Sequence, residues 1–183
     1  LFLMCAALLI SATTALAGND LSLKDITSGK FAPKGIGSIT ALDDGETYAQ
    51  VSKDGKKVVR YSFRTGKQTD VLFDVNNTIG QKIESFEDYI MSPDGTKMLI
   101  QTNSHKIYRR SFTADFYIYT IASRKLEKLS DNGAQQTPVW SPDGKQIAFV
   151  RDNNIFLVKL LYDNAESQVT KNNRSEEHTS ELQ

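Results

Sequence analysis

The sequence predicts an all-β fold: a partial β-propeller of about three blades, each with four strands. Two observations carry this. A turn motif recurs, in Met91-Ser-Pro-Asp-Gly95 before TKMLIQTN and in Trp140-Ser-Pro-Asp-Gly144 before KQIAFVRD, with a weaker copy, Ala41-Leu-Asp-Asp-Gly45, before ETYAQVSK. Glycines 45, 95 and 144 thus mark a period of about 50 residues, the length of one blade. Second, no stretch sustains helical periodicity, while proline and glycine fall mostly at turn positions. The alternative on these signals is a β-sandwich with coincidental turns.

Each copy of the motif has the local chemistry of a hairpin. In Ser92-Pro93-Asp94-Gly95 the proline presets φ at the second turn position, and the glycine can take positive φ entering the next strand. In the first unit, Asp54-Gly55 and Thr65-Gly66 mark turns around a strand at residues 57–63. After the second and third motifs come nearly continuous apolar runs, residues 97–101 and 146–150. Such runs predict strands buried on both faces between stacked sheets. The third unit parses fully, with strands expected at 136–140, 145–151, 154–160 and 166–170, and Asp152-Asn153-Asn154 as a turn. Propellers close with 4–8 blades, so residues 18–173 are too few for a ring, and the chain reads as a fragment starting at Leu1.

The two ends read differently from the body. Residues 1–17, LFLMCAALLISATTALA, hold an uncharged apolar run closing on Ala15-Leu16-Ala17, the pattern of a signal peptide truncated at its basic start. Export to a periplasm or outward follows as the expectation. Cys5 lies inside this segment, so the mature chain would carry no cysteine and no disulfide. The last ten residues, RSEEHTSELQ at 174–183, resemble a translated sequencing adapter and are set apart as a non-native tail. The expected organisation is therefore signal peptide 1–17, partial propeller 18–173 and tail 174–183. Lys plus Arg number 22 and Asp plus Glu 22, a balance without the basic excess of a nucleic-acid binder.

Chemistry-bearing motifs are sparse. The sequence has no G-x-S-x-G elbow, phosphate loop, H-E-x-x-H or cysteine pair, so no catalytic residue, metal ligand or cofactor is assigned. Gly35-Ile36-Gly37 is half a dinucleotide fingerprint and reads as a loop before the first blade. Ser104-His105 are neighbours without an orienting acid, and His105 reads as an exposed loop residue. Asp43-Asp44 occupies the turn slot of the repeat. Asn76-Asn77-Thr78 is a formal glycosylation sequon. One segment escapes the repeat: residues 107–120, IYRRSFTADFYIYT, read as an aromatic strand holding two adjacent arginines. Side chains alternate faces along a strand, so Arg109 and Arg110 must point apart. From chemistry alone, one serves either a structural salt bridge or the bidentate grip of a carboxylate or carbonyl.

That segment also carries a resemblance. Tyr108-Arg109-Arg110-Ser111-Phe112-Thr113-Ala114, continuing into Phe116-Tyr117-Ile118-Tyr119, resembles a signature of the dipeptidyl peptidase IV branch of the prolyl oligopeptidase family. Further similarity lies in Leu21-Ser-Leu-Lys-Asp-Ile26, Ser28-Gly-Lys-Phe31, Phe86-Glu-Asp-Tyr89, Ser92-Pro-Asp-Gly95 and Val150-Arg-Asp-Asn-Asn-Ile155. Thr120 departs from the acidic residue usual after the tyrosine. The resemblance implies an eight-bladed propeller covering an α/β-hydrolase domain whose Ser-Asp-His triad removes N-terminal Xaa-Pro or Xaa-Ala dipeptides. It implies peptide substrates with a free N-terminus, a parent that dimerises, and Arg109 as the residue holding substrate. The family's paired glutamates and triad have no match here, and Glu176-Glu177 falls in the tail. The fragment alone is then expected to be inactive. A reading of another class is a non-enzymatic periplasmic propeller serving as a binding scaffold.

Overall fold

The computed structural model describes residues 22–32, 35 and 38–171. The expected signal peptide at 1–17 and the tail at 174–183 lie outside the described residues, as do Ile36 and Gly37. The chain divides into two compact units, residues 1–36 and 37–183. In the first, a single helical turn, α1 (Leu23–Thr27), is capped by Ser22, whose hydroxyl oxygen accepts from the Asp25 amide at 3.0 Å.

The described residues of the second unit form strands, turns and short 3₁₀ segments. Its first sheet is β1 (Ile39–Ala41), β2 (Thr47–Val51), β3 (Lys57–Ser62) and β4 (Gln68–Asp74), in that order and antiparallel throughout. A 3₁₀ turn at Val75–Asn77 and the short β5 (Ile79–Gly80) follow. The second sheet adds β6 (Asp88–Met91), β7 (Lys97–Lys106), β8 (Phe112–Thr120) and β9 (Lys125–Lys128). The third is β10 (Gln136–Trp140), β11 (Gln146–Arg151), β12 (Asn154–Lys159) and β13 (Ala165–Gln168). β1–β4, β6–β9 and β10–β13 each form an antiparallel meander, and the three sheets are blades of a partial propeller.

The expected strands of the third blade agree with those observed to within two residues at each end. The middle blade departs from the four-strand expectation: β5 adds to β9 in parallel, giving the order β5-β9-β8-β7-β6. Gly80 makes this pairing fit. It sits at φ +92°, and a Cβ there would lie 2.8 Å from the Leu126 carbonyl oxygen.

The apolar runs are explained by sheet stacking. One core joins the first two blades, through Val58 and Phe73 on one side and Met98, Ile100, Tyr117 and Tyr119 on the other. A second core joins blades two and three, through Leu99, Phe116 and Ile118 against Trp140, Ile147 and Phe149. Alternate residues of β7 and β8 thus point into different cores, so Met98, Leu99 and Ile100 are all fully buried. Full burial of each such side chain is worth about 1.5–3 kcal/mol. Phe73 meets Tyr119 edge-to-face at 4.8 Å across the first seam. Trp140 Nε1 donates to the Ile90 carbonyl at 3.4 Å across the second.

The Ser-Pro-Asp-Gly turns show why the motif recurs. The Ser92 hydroxyl donates to Asp94 Oδ1 at 2.6 Å, and its oxygen accepts from the Lys97 amide at 2.9 Å. Ser141 repeats both contacts with Asp143 at 2.6 Å and the Gln146 amide at 2.9 Å. Gly45, Gly95 and Gly144 all take φ +66°. Asp43-Asp44 is the turn residue pair expected: Asp44 Oδ1 accepts from the Glu46 and Thr47 amides at 2.9 and 2.8 Å.

Candidate functional site

The two adjacent arginines lie on a projecting hairpin, and here the structure corrects the sequence reading. Residues 107–110 form a bend, with β8 beginning only at Phe112. The strand before it is longer than the apolar run suggested, because β7 continues to Lys106. Arg109 and Arg110 therefore sit at a hairpin tip, free of strand alternation, and both are exposed. A tight turn was hidden in the sequence because the segment holds neither glycine nor proline. The Ile107 and Tyr108 amides close it on the Ser111 carbonyl at 2.9 and 3.2 Å.

Lower down, the hairpin is bulged. β7 and β8 pair regularly from Lys97↔Thr120 to Thr102↔Asp115, then shift by one residue before resuming at His105↔Thr113. Asn103 takes φ +51° at the shift, and its side-chain amide donates to Asp115 Oδ2 at 2.9 Å. The Ser104 amide turns away from β8 and donates to Glu87 Oε1 at 3.1 Å. Gln101 Nε2 reaches Glu87 Oε2 at 3.3 Å. Hydrogen bonding from Ser104 is the largest of the effects holding the Glu87 carboxyl below its ordinary range. Among the described residues neither Arg109 nor Arg110 has an ion-pair or hydrogen-bond partner.

The other sequence candidates resolve into local roles. His105 is exposed, at the end of β7 rather than in a loop, and no carboxylate hydrogen-bonds its ring among the described residues. Asn76 and Asn77 lie in the 3₁₀ turn, where Asn77 Oδ1 accepts from Arg124 at 3.1 Å, and Thr78 is buried. Among the described residues no group of three or more His, Cys, Asp or Glu side chains could hold a metal.

One turn, read from the sequence only through Asp54-Gly55, has more chemistry than that pair shows, and one cluster has no signal in the sequence. Ser52-Lys53-Asp54-Gly55 is a further copy of the turn chemistry, with Ser52 donating to Asp54 at 2.5 Å and accepting from the Lys57 amide at 2.9 Å. Its Ser-x-Asp-Gly string was the available signal. The other fastens blade three to the link that follows β9: Arg151 pairs with Glu166 at 2.5 Å, lies 4.0 Å over the Phe156 ring, and donates to Ser130 Oγ at 2.8 Å. Burial pushes the Glu166 carboxyl up, but the Arg151 and Ser130 contacts outweigh it and the net shift is downward. No local pattern links residues 130, 151 and 166.

The exposed hairpin tip carries two guanidinium groups. A guanidinium remains protonated and presents forked donors to a carbonyl or carboxylate. Residues 92–180, which include the hairpin, match the family described as Dipeptidyl peptidase IV (DPP IV) N-terminal region. The chain carries the N-terminal region of a dipeptidyl peptidase IV-like protein. The probable dipeptidyl-aminopeptidase B of Emericella nidulans is 34% identical over 155 residues, 79% of this chain and 17% of that protein. Prolyl endopeptidase FAP of Homo sapiens is 31% identical over 138 residues, covering 75% of this chain and 17% of its own length. The crystal structure of Porphyromonas gingivalis dipeptidyl peptidase 4 superposes with a TM-score of 0.74 at 35% identity, over 82% of this chain and 22% of that one. This dipeptidyl peptidase IV-like chain thus spans under a quarter of the length of these relatives.

Proposed function

We propose that this chain is the propeller portion of an exported serine-type dipeptidyl peptidase. In that reading the whole protein releases N-terminal Xaa-Pro or Xaa-Ala dipeptides, with a triad supplied by an α/β-hydrolase domain and no cofactor. The propeller limits access to peptides with a free N-terminus, and Arg109 holds the substrate near that end. Export, to a periplasm or outward, rests on the pattern of residues 1–17, and dimerisation of the parent rests on family resemblance.

The observation that supports the role of Arg109 is its exposure at a hairpin tip without a partner among the described residues. Arg151, inside blade three, differs: it is paired, hydrogen-bonded and stacked at once. A bidentate contact from Arg109 to a backbone carbonyl is a charge-assisted pair, each bond worth about 1.5–3 kcal/mol. In the protein expressed with every residue its gene encodes, Arg109→Ala should lower kcat/KM on Xaa-Pro substrates by about 10- to 100-fold. Unchanged kcat/KM removes Arg109 from the site. Absence of peptidase activity from that whole product favours a propeller used as a binding scaffold.

A further inference from the structure

We propose that Glu87 is a positioning residue, which holds the bulged base of the β7–β8 hairpin and so fixes where Arg109 points. This rests on the functional reading of Arg109 given above.

The geometry is specific to the bulge. One extra residue on β7 between Thr102 and His105 leaves the Ser104 amide without a cross-strand acceptor on β8. The Glu87 carboxylate fills that place at 3.1 Å, while its second oxygen takes the Gln101 side chain at 3.3 Å. Glu87 is itself held by the same strand, since its amide donates to the Gln101 carbonyl at 2.9 Å. The preceding segment is anchored by Phe86, buried against Phe73 at 5.3 Å. A carboxylate on a packed support thus grips β7 at the residue where the ladder breaks. Bulges bend a strand and re-aim what lies beyond them, and Arg109 lies only five residues beyond Ser104.

On the other strand, Asp115 makes the corresponding contact to Asn103 at 2.9 Å. The bulge is therefore held from both sides, and only the Glu87 side reaches a backbone amide. A charged acceptor on a backbone donor is the stronger kind of bond. Its loss frees the hairpin to swing without unfolding the blade, because Met98, Leu99 and Ile100 lie well below the bulge in the two cores.

The test uses the protein expressed with every residue its gene encodes, and Glu87→Ala, Glu87→Gln, Arg109→Ala and the Glu87→Ala/Arg109→Ala double variant. Glu87→Ala is expected to speed amide hydrogen exchange of the peptide spanning 104–111 by about fivefold or more, with blade-three peptides unchanged. It should raise KM on an Xaa-Pro chromogenic substrate by about 3- to 10-fold with kcat within about twofold, as expected for lost uniform binding. Glu87→Gln, which keeps an acceptor oxygen, should restore most of both readouts. The double variant should be no worse than Arg109→Ala alone. Unchanged exchange in Glu87→Ala overturns the anchor. Unchanged KM in Glu87→Ala beside a raised KM in Arg109→Ala, or additive effects in the double variant, overturns its action through Arg109. An inert Arg109→Ala instead overturns the functional reading, and exchange at 104–111 still decides the anchor.

Discussion

Asp94 shows how one side chain converts a short motif into a blade turn. It accepts from the Ser92 hydroxyl, from the Thr96 hydroxyl at 2.8 Å and from the Thr96 amide at 3.1 Å. The Ser92 bond is the largest contribution drawing its carboxyl down from 3.8 to about 2. A carboxyl whose pKa is lower folded than unfolded stabilises the native state once it is ionised. The Asp94 contribution is thus fully present above 3.8 and is lost as pH falls toward about 2. Asp94→Asn should lower the apparent melting temperature at neutral pH, and its difference from wild type should shrink across that window. A difference independent of pH would show that the charge is irrelevant. Ser92→Ala strands the Lys97 amide at a buried site and should cost about 1–2 kcal/mol in denaturant unfolding. At this scale the sequence was legible, because Ser, Pro, Asp and Gly each have one local job within five residues. Glu87 was not, since its partner Ser104 lies seventeen residues on and is defined only by a strand bulge.

Strands and their seams set the next scale. β5 exists because Gly80 lets the chain pass close under β9. Gly80→Ala would press a Cβ against the Leu126 carbonyl at a strained φ, a cost of about 1–3 kcal/mol. Exchange of the Ile79 and Gln81 amides, which donate to Arg124 and Leu126 carbonyls, should then accelerate relative to the rest of the blade. Equal protection in the variant would mean that β9 yields without cost. The Arg151–Glu166 pair, with side chains only 10% and 16% exposed, fastens blade three to the link from blade two through Ser130 and Asn132. Arg151→Ala leaves a largely buried carboxylate without its cation and should destabilise the packing of this link on blade three by about 1.5–3 kcal/mol. A double-mutant cycle with Glu166→Ala that gives no coupling would reduce the pair to a surface contact. The strand expectations for the third blade held because its turns are tight and marked. The arginine strand expected across 107–120 did not, because hydrophobic pattern cannot distinguish a strand from a short hairpin lacking glycine.

For the whole molecule, the unequal burial of blade faces is decisive. Faces between blades are closed by aromatic and aliphatic cores, whereas among the described residues of the second unit no sheet packs on the outer faces of blades one and three, which carry apolar side chains. Tyr48, Tyr61 and Phe63 form an open aromatic cluster on the first, with Phe63 48% exposed. Val139 and Ile155 stand out from the third at 62% and 44%. Exposed apolar faces of this kind drive association. Residues 18–173 expressed alone should therefore self-associate in light scattering at micromolar concentration. A monodisperse monomer with a sharp cooperative melt would overturn that expectation.

The sequence by itself determined the blade. A period of about 50 residues, a turn whose hydrogen bonds close within six residues, and apolar runs long enough for two faces all act locally along the chain. Tertiary structure decided what joins residues far apart in the chain: the fifth strand beside β9, the Arg151 clamp, and the bulge that Glu87 grips. The physical reason is range. Local turn chemistry is written in neighbouring residues, whereas the partner of a side chain across a seam is chosen by how sheets stack. The Arg-Arg string named the residues at the hairpin tip, but only the fold showed that nothing in the described chain holds them.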